Sequence, residues 1–414
     1  MTDIELLGKN AKEASRFLAT ADTEMKNKAL LKIASALREN AGEIVKANID
    51  DMQSAKSNGM NNTMLDRLLL TPERIEAMAC GVEEVASLPD PVGRILDSVE
   101  RPNGLQITKV SVPIGVIAVI FEARPNVTSD AASLCLKAGN AVILRGGKEA
   151  IRTNKAIADV MRQALESAGF PKDCISLVED TSRDSANALM RMNEYVDVLI
   201  PRGGAGLINA CVQNSTVPVI ETGTGNCHIY VDKCADIEMA ANIVFNAKTS
   251  RPSVCNAAES LLIHRDIASK ALPVIKSRLD EKRVTLHGDE KSREICPDIL
   301  PATEEDWGKE YLGYEMSVNV VEDIDEAIER IYKYGTKHSE AIITEDASAA
   351  EKFFNEVDAA AVYHNASTRF TDGGVFGLGA EIGISTQKLH ARGPLGLNEL
   401  TSMKFVVRGN GQVR

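Results

Sequence analysis

Residues 116–148 read VIAVIFEARPNVTSDAASLCLKAGNAVILRGGK. The run opens on Val116-Ile117-Ala118-Val119-Ile120-Phe121, apolar at every position, which suits a strand covered on both faces. Arg124-Pro125-Asn126 marks a turn, helical period follows over 129–137, and a second apolar run at 141–144 leads into Gly146-Gly147. The period keeps switching downstream: helix over 151–168, strand over 175–177, helix over 184–192, strand over 196–200. Short apolar runs joined by helices are the pattern of right-handed crossovers and a parallel sheet. The expectation is a doubly wound, dinucleotide-type α/β domain.

Upstream, residues 4–86 carry helical period, with Leu30, Ile33 and Leu37 on one face and breaks at Asn40 and Gly59. Residues 106–112 alternate apolar and polar, as a half-exposed strand does, and the tail at 403–408 alternates again, placed to pair with it in a flap. A second series starts near Cys227: strand 228–231, helix 240–247, strand 260–264, helix 269–279, strand 318–321, helix 324–334, strand 341–344, helix 347–355. This is a second α/β unit.

The chain has 414 residues, 44% hydrophobic and 26% charged, which excludes disorder, collagen-like repeats and a disulfide-stapled mini-protein. Lys+Arg 47 against Asp+Glu 59 leaves −12 at pH 7, so neither nucleic acid nor anionic lipid is expected as a partner held by bulk charge. The apolar stretch 110–121 is interrupted by Ser111, Pro113 and Gly115 and falls short of the roughly 20 residues of a membrane span. The eight cysteines, at 80, 135, 174, 211, 227, 234, 255 and 296, form neither a Cys-x-x-Cys pair nor a zinc-spaced cluster. Reduced thiols and no metal are expected. Met1-Thr2-Asp3-Ile4-Glu5 lacks the basic and apolar regions of a signal peptide, which points to a cytoplasmic protein.

Four segments carry chemistry. Arg251-Pro252-Ser253-Val254-Cys255-Asn256-Ala257 is a small-residue loop after a helix; Arg251 favours a thiolate at Cys255, although a cysteine is more often a small packed residue. In Glu221-Thr222-Gly223-Thr224-Gly225-Asn226 a carboxylate leaves a strand straight into glycines, either at a ligand edge or as an exposed residue beside a tight turn. Arg145-Gly146-Gly147-Lys148 and Arg202-Gly203-Gly204 are basic glycine turns after strands, suited to a phosphorylated cofactor yet matching no nucleotide fingerprint. Arg392, in a loop after the glycine-rich 373–383, is an anion clamp or a surface salt bridge.

The order of these pieces resembles the aldehyde dehydrogenase superfamily. Pro113-Ile114-Gly115-Val116, Pro125-Asn126, Lys137-Ala138-Gly139-Asn140-Ala141-Val142, Glu221-Thr222-Gly223, Cys255, Glu310-Tyr311-Leu312-Gly313, Gly396-Leu397, Leu400-Thr401 and Lys404 stand in that family's running order. Phe121-Glu122-Ala123-Arg124-Pro125-Asn126, Arg251 to Asn256 and His390-Ala391-Arg392-Gly393-Pro394 are similar to one branch, which reduces L-glutamyl 5-phosphate to L-glutamate 5-semialdehyde in proline synthesis. The resemblance implies an aldehyde dehydrogenase-like α/β fold: two doubly wound parallel-sheet domains and a small β-flap for oligomerisation. It implies an NADP-binding domain over 1–104 and 113–223, a catalytic domain over 224–388, and a flap with C-terminal segment over 105–112 and 389–414.

The same resemblance assigns roles. Cys255 is the nucleophile that forms a thioester, Asn126 the side-chain donor to the oxyanion, and Glu221 a proton-transfer group, since a water-activating base would waste a thioester destined for phosphate. Glu310 and Gly223 face the cofactor with Arg145, Gly146, Gly147, Lys148, Gly203 and Gly204. Where the superfamily keeps a glutamate for the adenosine ribose, Lys148 stands beside Arg145, which favours NADP (NADPH) over NAD on charge grounds. Arg251, Arg392 and Arg124 are the cations for an anionic substrate. A homo-oligomer, dimer or tetramer, and a transient contact with glutamate 5-kinase, the source of the labile acyl phosphate, are the expected partners. The competing enzyme reading is another acylating, non-hydrolytic aldehyde dehydrogenase, for example one using acyl-CoA; a catalytically dead member of the fold is the competing non-enzyme reading.

Overall fold

Val116–Phe121 is buried at every position and lies inside a four-stranded parallel sheet of order Ile175–Leu177, Ala141–Arg145, Val116–Phe121, Val198–Arg202. From Val116–Phe121 the chain builds outward to one side and then returns to the other, so the strand order reverses there. Glu122, Gly146-Gly147 and Gly203-Gly204 follow the carboxyl ends of the three adjoining strands, where open α/β sheets take their ligands. The computed structural model describes residues 3–414, in two compact units.

The first unit holds the chain up to Thr222 together with Gly377–Gly383 and Leu395–Arg414. Its lead-in is helical: Asp3–Leu18, Thr23–Glu39, Ala41–Ser57, Asn62–Leu68 and Pro72–Ser87. Local signals fix these helices. Asp22 caps one by accepting from Met25 N, Thr71 caps another by accepting from Arg74 N with Pro72 just inside it, and Leu30, Ile33 and Leu37 are fully buried. Gly115 has φ +132° and a Cβ there would run into the Asp197 carboxylate, which instead accepts from Val116 N at 2.8 Å and pairs with Lys12.

A separate three-stranded antiparallel sheet pairs Ile95–Glu100, Gln106–Pro113 and Thr401–Arg408, with Thr401 opposite Pro113 and Arg408 opposite Gln106. Ile95, Leu96, Val99, Met403, Phe405 and Val407 are exposed on it. Two details of the division bear on this sheet. Ile95–Glu100 belongs to this sheet rather than to the lead-in of 1–104, and the expected segment 389–414 is split, because Ile384–Pro394 groups with the second unit and Leu395–Arg414 with the first. Alternating short strands pair where their hydrogen-bonding edges find a partner, and pairing with Thr401–Arg408 alone would leave the second edge of Gln106–Pro113 open, which Ile95–Glu100 fills.

The second unit holds Gly223–Phe376 and Ile384–Pro394. Seven parallel strands run in the order Leu300–Pro301, Thr285–Gly288, Glu315–Val321, Ala258–His264, Cys227–Val231, Ser339–Ile343, Ala361–His364. Ile229, Val231, Leu261, Ile263, Ala341 and Ile343 point into one apolar cluster, whereas Tyr230, Leu262 and Ile342 point into another, so both faces of the sheet are covered. Ile237–Thr249 and Arg265–Asp280 pack on the first face, Ile324–Tyr334 and Ala347–Glu356 on the second.

Candidate active site

The helix Ile237–Thr249 and the central strand Ala258–His264 are joined by an irregular loop that carries Cys255. Pro252 prevents the helix from continuing, and Ala257 N donates to Val254 O at 3.0 Å to turn the chain into the sheet. Cys255 is half-exposed, while Asn256 and Ala257 are buried behind it. Cys227 Sγ donates to the Cys255 carbonyl at 3.2 Å. Asn256 Nδ2 donates to Thr371 O at 2.8 Å, Thr368 Oγ1 donates to Asn256 O at 2.7 Å, and Arg369 Nη1 donates to Asn256 Oδ1. The Cys255 backbone is therefore held from behind by Cys227, and its neighbour Asn256 by Thr368, Arg369 and Thr371.

The other cysteines separate by environment. Burial raises the thiols of Cys135, Cys227 and Cys296, pushes Cys174 up to about 12 and Cys211 up to about 11, and so keeps them protonated. Cys80 and Cys234 are exposed, and none of the eight forms a disulfide. Among the described residues, no group of three or more His, Cys, Asp or Glu side chains could hold a metal ion.

Gly225 sits where two parts of the second unit converge. A Cβ there would overlap the carbonyl of Cys255, so only glycine lets the two backbones approach. Its N–H donates to Glu310 Oε1 at 2.9 Å, which leaves Oε2 for a hydroxyl ligand. Asn226 holds the next position by donating from Nδ2 to Trp307 O and Tyr334 O, both at 2.9 Å. Beneath them Lys248 and Glu259 form an ion pair with no exposure at all, and Glu259 Oε1 accepts from Leu312 N at 3.1 Å. Burial pushes Glu259 up to about 7 and draws Lys248 down, both toward their neutral forms.

The expected cations differ in their surroundings. Arg251 is exposed. Arg392 donates to Asp358 Oδ1 at 2.8 Å, and Asp358 also receives Lys388 at 2.7 Å, so an anion at Arg392 competes with a carboxylate already in place. Arg369 and Glu259 are absent from the sequence-derived set. Neither lies in a motif; Arg369 comes to the Cys255 loop through the parallel crossovers, 113 positions beyond Asn256, whereas Glu259 directly follows that loop and takes its meaning from Lys248 and Leu312.

In the first unit, Asn126 stands at the start of the helix Val127–Lys137 and its Nδ2 donates to Asp130 Oδ2 at 2.7 Å, leaving one amide hydrogen for a ligand. Desolvation pushes Asp130 up to about 6 against that bond and the charge of Arg202. Arg124 and Glu221 are half-buried. Arg145 Nη2 donates to Thr181 O and Ser182 O at 2.8 and 2.9 Å, burial lowers its pKa, and Glu149, Asp180 and Glu122 oppose that shift. Lys148 is exposed. The Gly204 N–H donates to Glu122 Oε2 at 3.1 Å, so a carboxylate that sequence reasoning passed over occupies the second glycine turn.

These turns fit a nicotinamide dinucleotide. They flank the strand-order reversal, Arg145 Nε and Asn154 Nδ2 are buried donors with no partner among the described residues, and the helix Ala205–Asn214 begins on small residues without a side-chain cap.

Known proteins share this chain's sequence and fold. The family model described as "Aldehyde dehydrogenase family" matches residues 1–305. The chain is 59% identical over 414 residues to the γ-glutamyl phosphate reductase of Clostridium beijerinckii, covering 100% of both chains. It is 56% identical over 412 residues to the protein of that name from Caldanaerobacter subterraneus, again covering 100% of each. The crystal structure of γ-glutamyl phosphate reductase from Thermotoga maritima superposes with a TM-score of 0.98 at 51% identity over 100% of both chains. An acetylating aldehyde dehydrogenase from Geobacillus thermoglucosidasius shares the fold, with a TM-score of 0.71 at 19% identity over 100% of this chain and 97% of its own.

Proposed function

The chain belongs to the aldehyde dehydrogenase family, and from that premise we propose how its residues carry out the γ-glutamyl phosphate reductase reaction. It reduces L-glutamyl 5-phosphate to L-glutamate 5-semialdehyde and phosphate, the second step from glutamate to proline. The position of Cys255, half-exposed on a loop held from behind by Cys227, Asn256 and the missing Cβ of Gly225, carries the mechanism.

The Cys255 thiolate attacks the γ-carbonyl. The bond from that carbon to the phosphate oxygen breaks, phosphate leaves with the electron pair, and a thioester remains. A nicotinamide cofactor is general to the family, and when bound in reduced form it supplies the hydride that turns the thioester into a thiohemiacetal. Expulsion of the Cys255 thiolate then frees the aldehyde, with Glu221 assigned to the proton that the sulfur loses and regains. The Cys255 N–H and the remaining Asn126 amide hydrogen are assigned to the oxyanion of both tetrahedral species. Arg251, Arg124 and Arg392 are assigned to the substrate's anionic groups.

For the cofactor, Glu310 Oε2 is assigned to the nicotinamide ribose, and Gly223, Gly146, Gly147, Gly203 and Gly204 to close backbone approach. The reading of NADP rather than NAD is supported by Lys148, exposed after Arg145-Gly146-Gly147 where the superfamily keeps a glutamate. A cytoplasmic homo-oligomer, dimer or tetramer, using the exposed apolar side chains of the three-stranded sheet, and a transient contact with the acyl-phosphate-forming kinase complete the proposal. Among the described residues no helix is long and apolar enough to cross a membrane.

The test is reduction of NADP by glutamate 5-semialdehyde with and without phosphate, in the wild type and in Cys255→Ser. Phosphate-dependent turnover that vanishes in the folded variant is expected. Turnover that ignores phosphate, or survives loss of the thiol, overturns the mechanism.

A further inference from the structure

Arg369 reaches across the nucleophile loop from one end to the other. Its Nε donates to Ser250 Oγ at 3.1 Å, beside Arg251, and its Nη1 donates to Asn256 Oδ1, beside Cys255. The backbone under it is pinned as well: Ser367 Oγ accepts from Arg369 N at 3.3 Å, and Thr368 Oγ1 donates to Asn256 O. Nη2 meets no acceptor among the described residues, and it is not a buried atom left unsatisfied. The guanidinium is thus a fork with two nitrogens fixed on protein and the third open.

Its charge is also uncompensated. Neither Arg369 nor Arg251 forms an ion pair among the described residues, in contrast to Arg392 on Asp358. Asp372 is the carboxylate that Arg369 feels, and its Oδ1 is taken by the backbone N–H groups of Gly374 and Val375 at 2.9 and 3.3 Å. Burial lowers the pKa of Arg369, the charge of Arg251 lowers it further, and a Cys255 thiolate opposes both. Two guanidinium groups beside a thiol, in a chain of net charge −12, ask for a multiply charged anion.

Resting on the thioester reading above, we propose that Arg369, together with Arg251, holds the phosphoryl group of the substrate while Cys255 attacks. As the carbon–oxygen bond breaks, negative charge collects on the departing phosphate, and a fixed planar fork stabilises it without reorganisation. The phosphate is joined directly to the carbon that Cys255 attacks, whereas the α-carboxylate lies at the far end of the chain. A fork bonded to the neighbour of Cys255 therefore serves the phosphate. In the reverse direction the same fork positions phosphate to attack the thioester.

The experiment follows alkylation of Cys255 by iodoacetamide, read by peptide mapping because Cys80 and Cys234 are also exposed, with inorganic phosphate as protectant. Wild type, Arg369→Lys and Arg369→Gln are compared. The phosphate concentration for half-protection is expected to rise about 10- to 100-fold in Arg369→Gln and less in Arg369→Lys, which keeps the charge but loses the fork. The unprotected alkylation rates are expected to stay within about threefold of one another. In turnover, the KM for phosphate rises and the KM for glutamate 5-semialdehyde stays within about twofold. Equal protection in wild type and Arg369→Gln overturns the assignment, as does a rise confined to the semialdehyde KM. Should Arg369→Gln fail to fold, unchanged half-protection in Arg369→Lys overturns it equally. A wild type whose turnover ignores phosphate rejects the acyl-phosphate reading itself and is separate from either result.

Discussion

Lys248 Nζ meets Glu259 Oε2 in an ion pair from which solvent is wholly excluded, and the two residues stand at the opposite ends of the loop that carries Cys255. Lys248 closes the helix Ile237–Thr249, Glu259 opens the strand Ala258–His264, and the second carboxylate oxygen of Glu259 holds Leu312, two residues past Glu310. One buried contact thereby fixes the loop's ends and the segment assigned to the cofactor ribose. Burial opposes both charges, so the pair's service is positional rather than a source of net stability.

Lys248→Met leaves the Glu259 carboxylate buried without its cation. A loss of about 3–5 kcal/mol in unfolding free energy is expected, with most of it recovered in Lys248→Met/Glu259→Leu, where neither charge remains. Urea denaturation measures both. A single variant as stable as wild type refutes the buried-charge account.

Gly225→Ala puts a Cβ into the Cys255 carbonyl, an obstacle of backbone that cannot swing aside. The loop has to move, at a cost of about 1–3 kcal/mol, and a shift of about 1 Å at the proposed nucleophile lowers kcat on the order of 100-fold. Steady-state kinetics with a thermal melt separates the two effects; full activity in the variant shows that the loop tolerates displacement.

Asn126→Ala removes the proposed side-chain donor to the oxyanion, so kcat falls about 100- to 1,000-fold while substrate binding changes little. A fall in kcat of less than tenfold removes Asn126 from that role.

Asp130 titrates near 6 in the folded chain against an ordinary 3.8. A raised carboxylate favours the protonated native state, so its contribution is fully present below 3.8 and is lost as pH climbs through about 6. Asp130→Asn is expected to flatten this part of the stability profile and to gain up to about 3 kcal/mol relative to wild type at pH 7. Denaturation midpoints at pH 4.5 and 7 decide it, and parallel profiles contradict the shift.

The crossover strands and helices were legible because each has a local cause. Val116–Phe121 is a continuous apolar run, and Asp22 and Thr71 are caps that act within three residues. Ile95–Glu100, Thr285–Gly288, Leu300–Pro301 and Ala361–His364 escaped, being short strands that need only one covered face or none. The candidate site divides the same way. Cys255, Glu221 and Glu310 lie in motifs, whereas Arg369 and the carboxylate of Glu122 acquire meaning only from partners 113 and 82 positions away, and Glu259 from Lys248, 11 positions before it, and Leu312, 53 beyond.

The two units differ in when they become complete. Gly223–Phe376 emerges from the ribosome as one stretch that already contains every strand of the seven-stranded sheet. The unit that begins the chain must wait for its end: Gln106–Pro113 receives its second neighbour, Thr401–Arg408, only when synthesis is nearly over, and Asn140, which accepts from Gly115 N, waits as long for Leu400 O, 2.8 Å away. Birth order and folding order are thus inverted. The Cys255 loop is housed before the N-terminal unit can close its last strand, so released chains truncated near residue 380 should protect Cys255 from proteolysis while leaving Gln106–Pro113 cleavable.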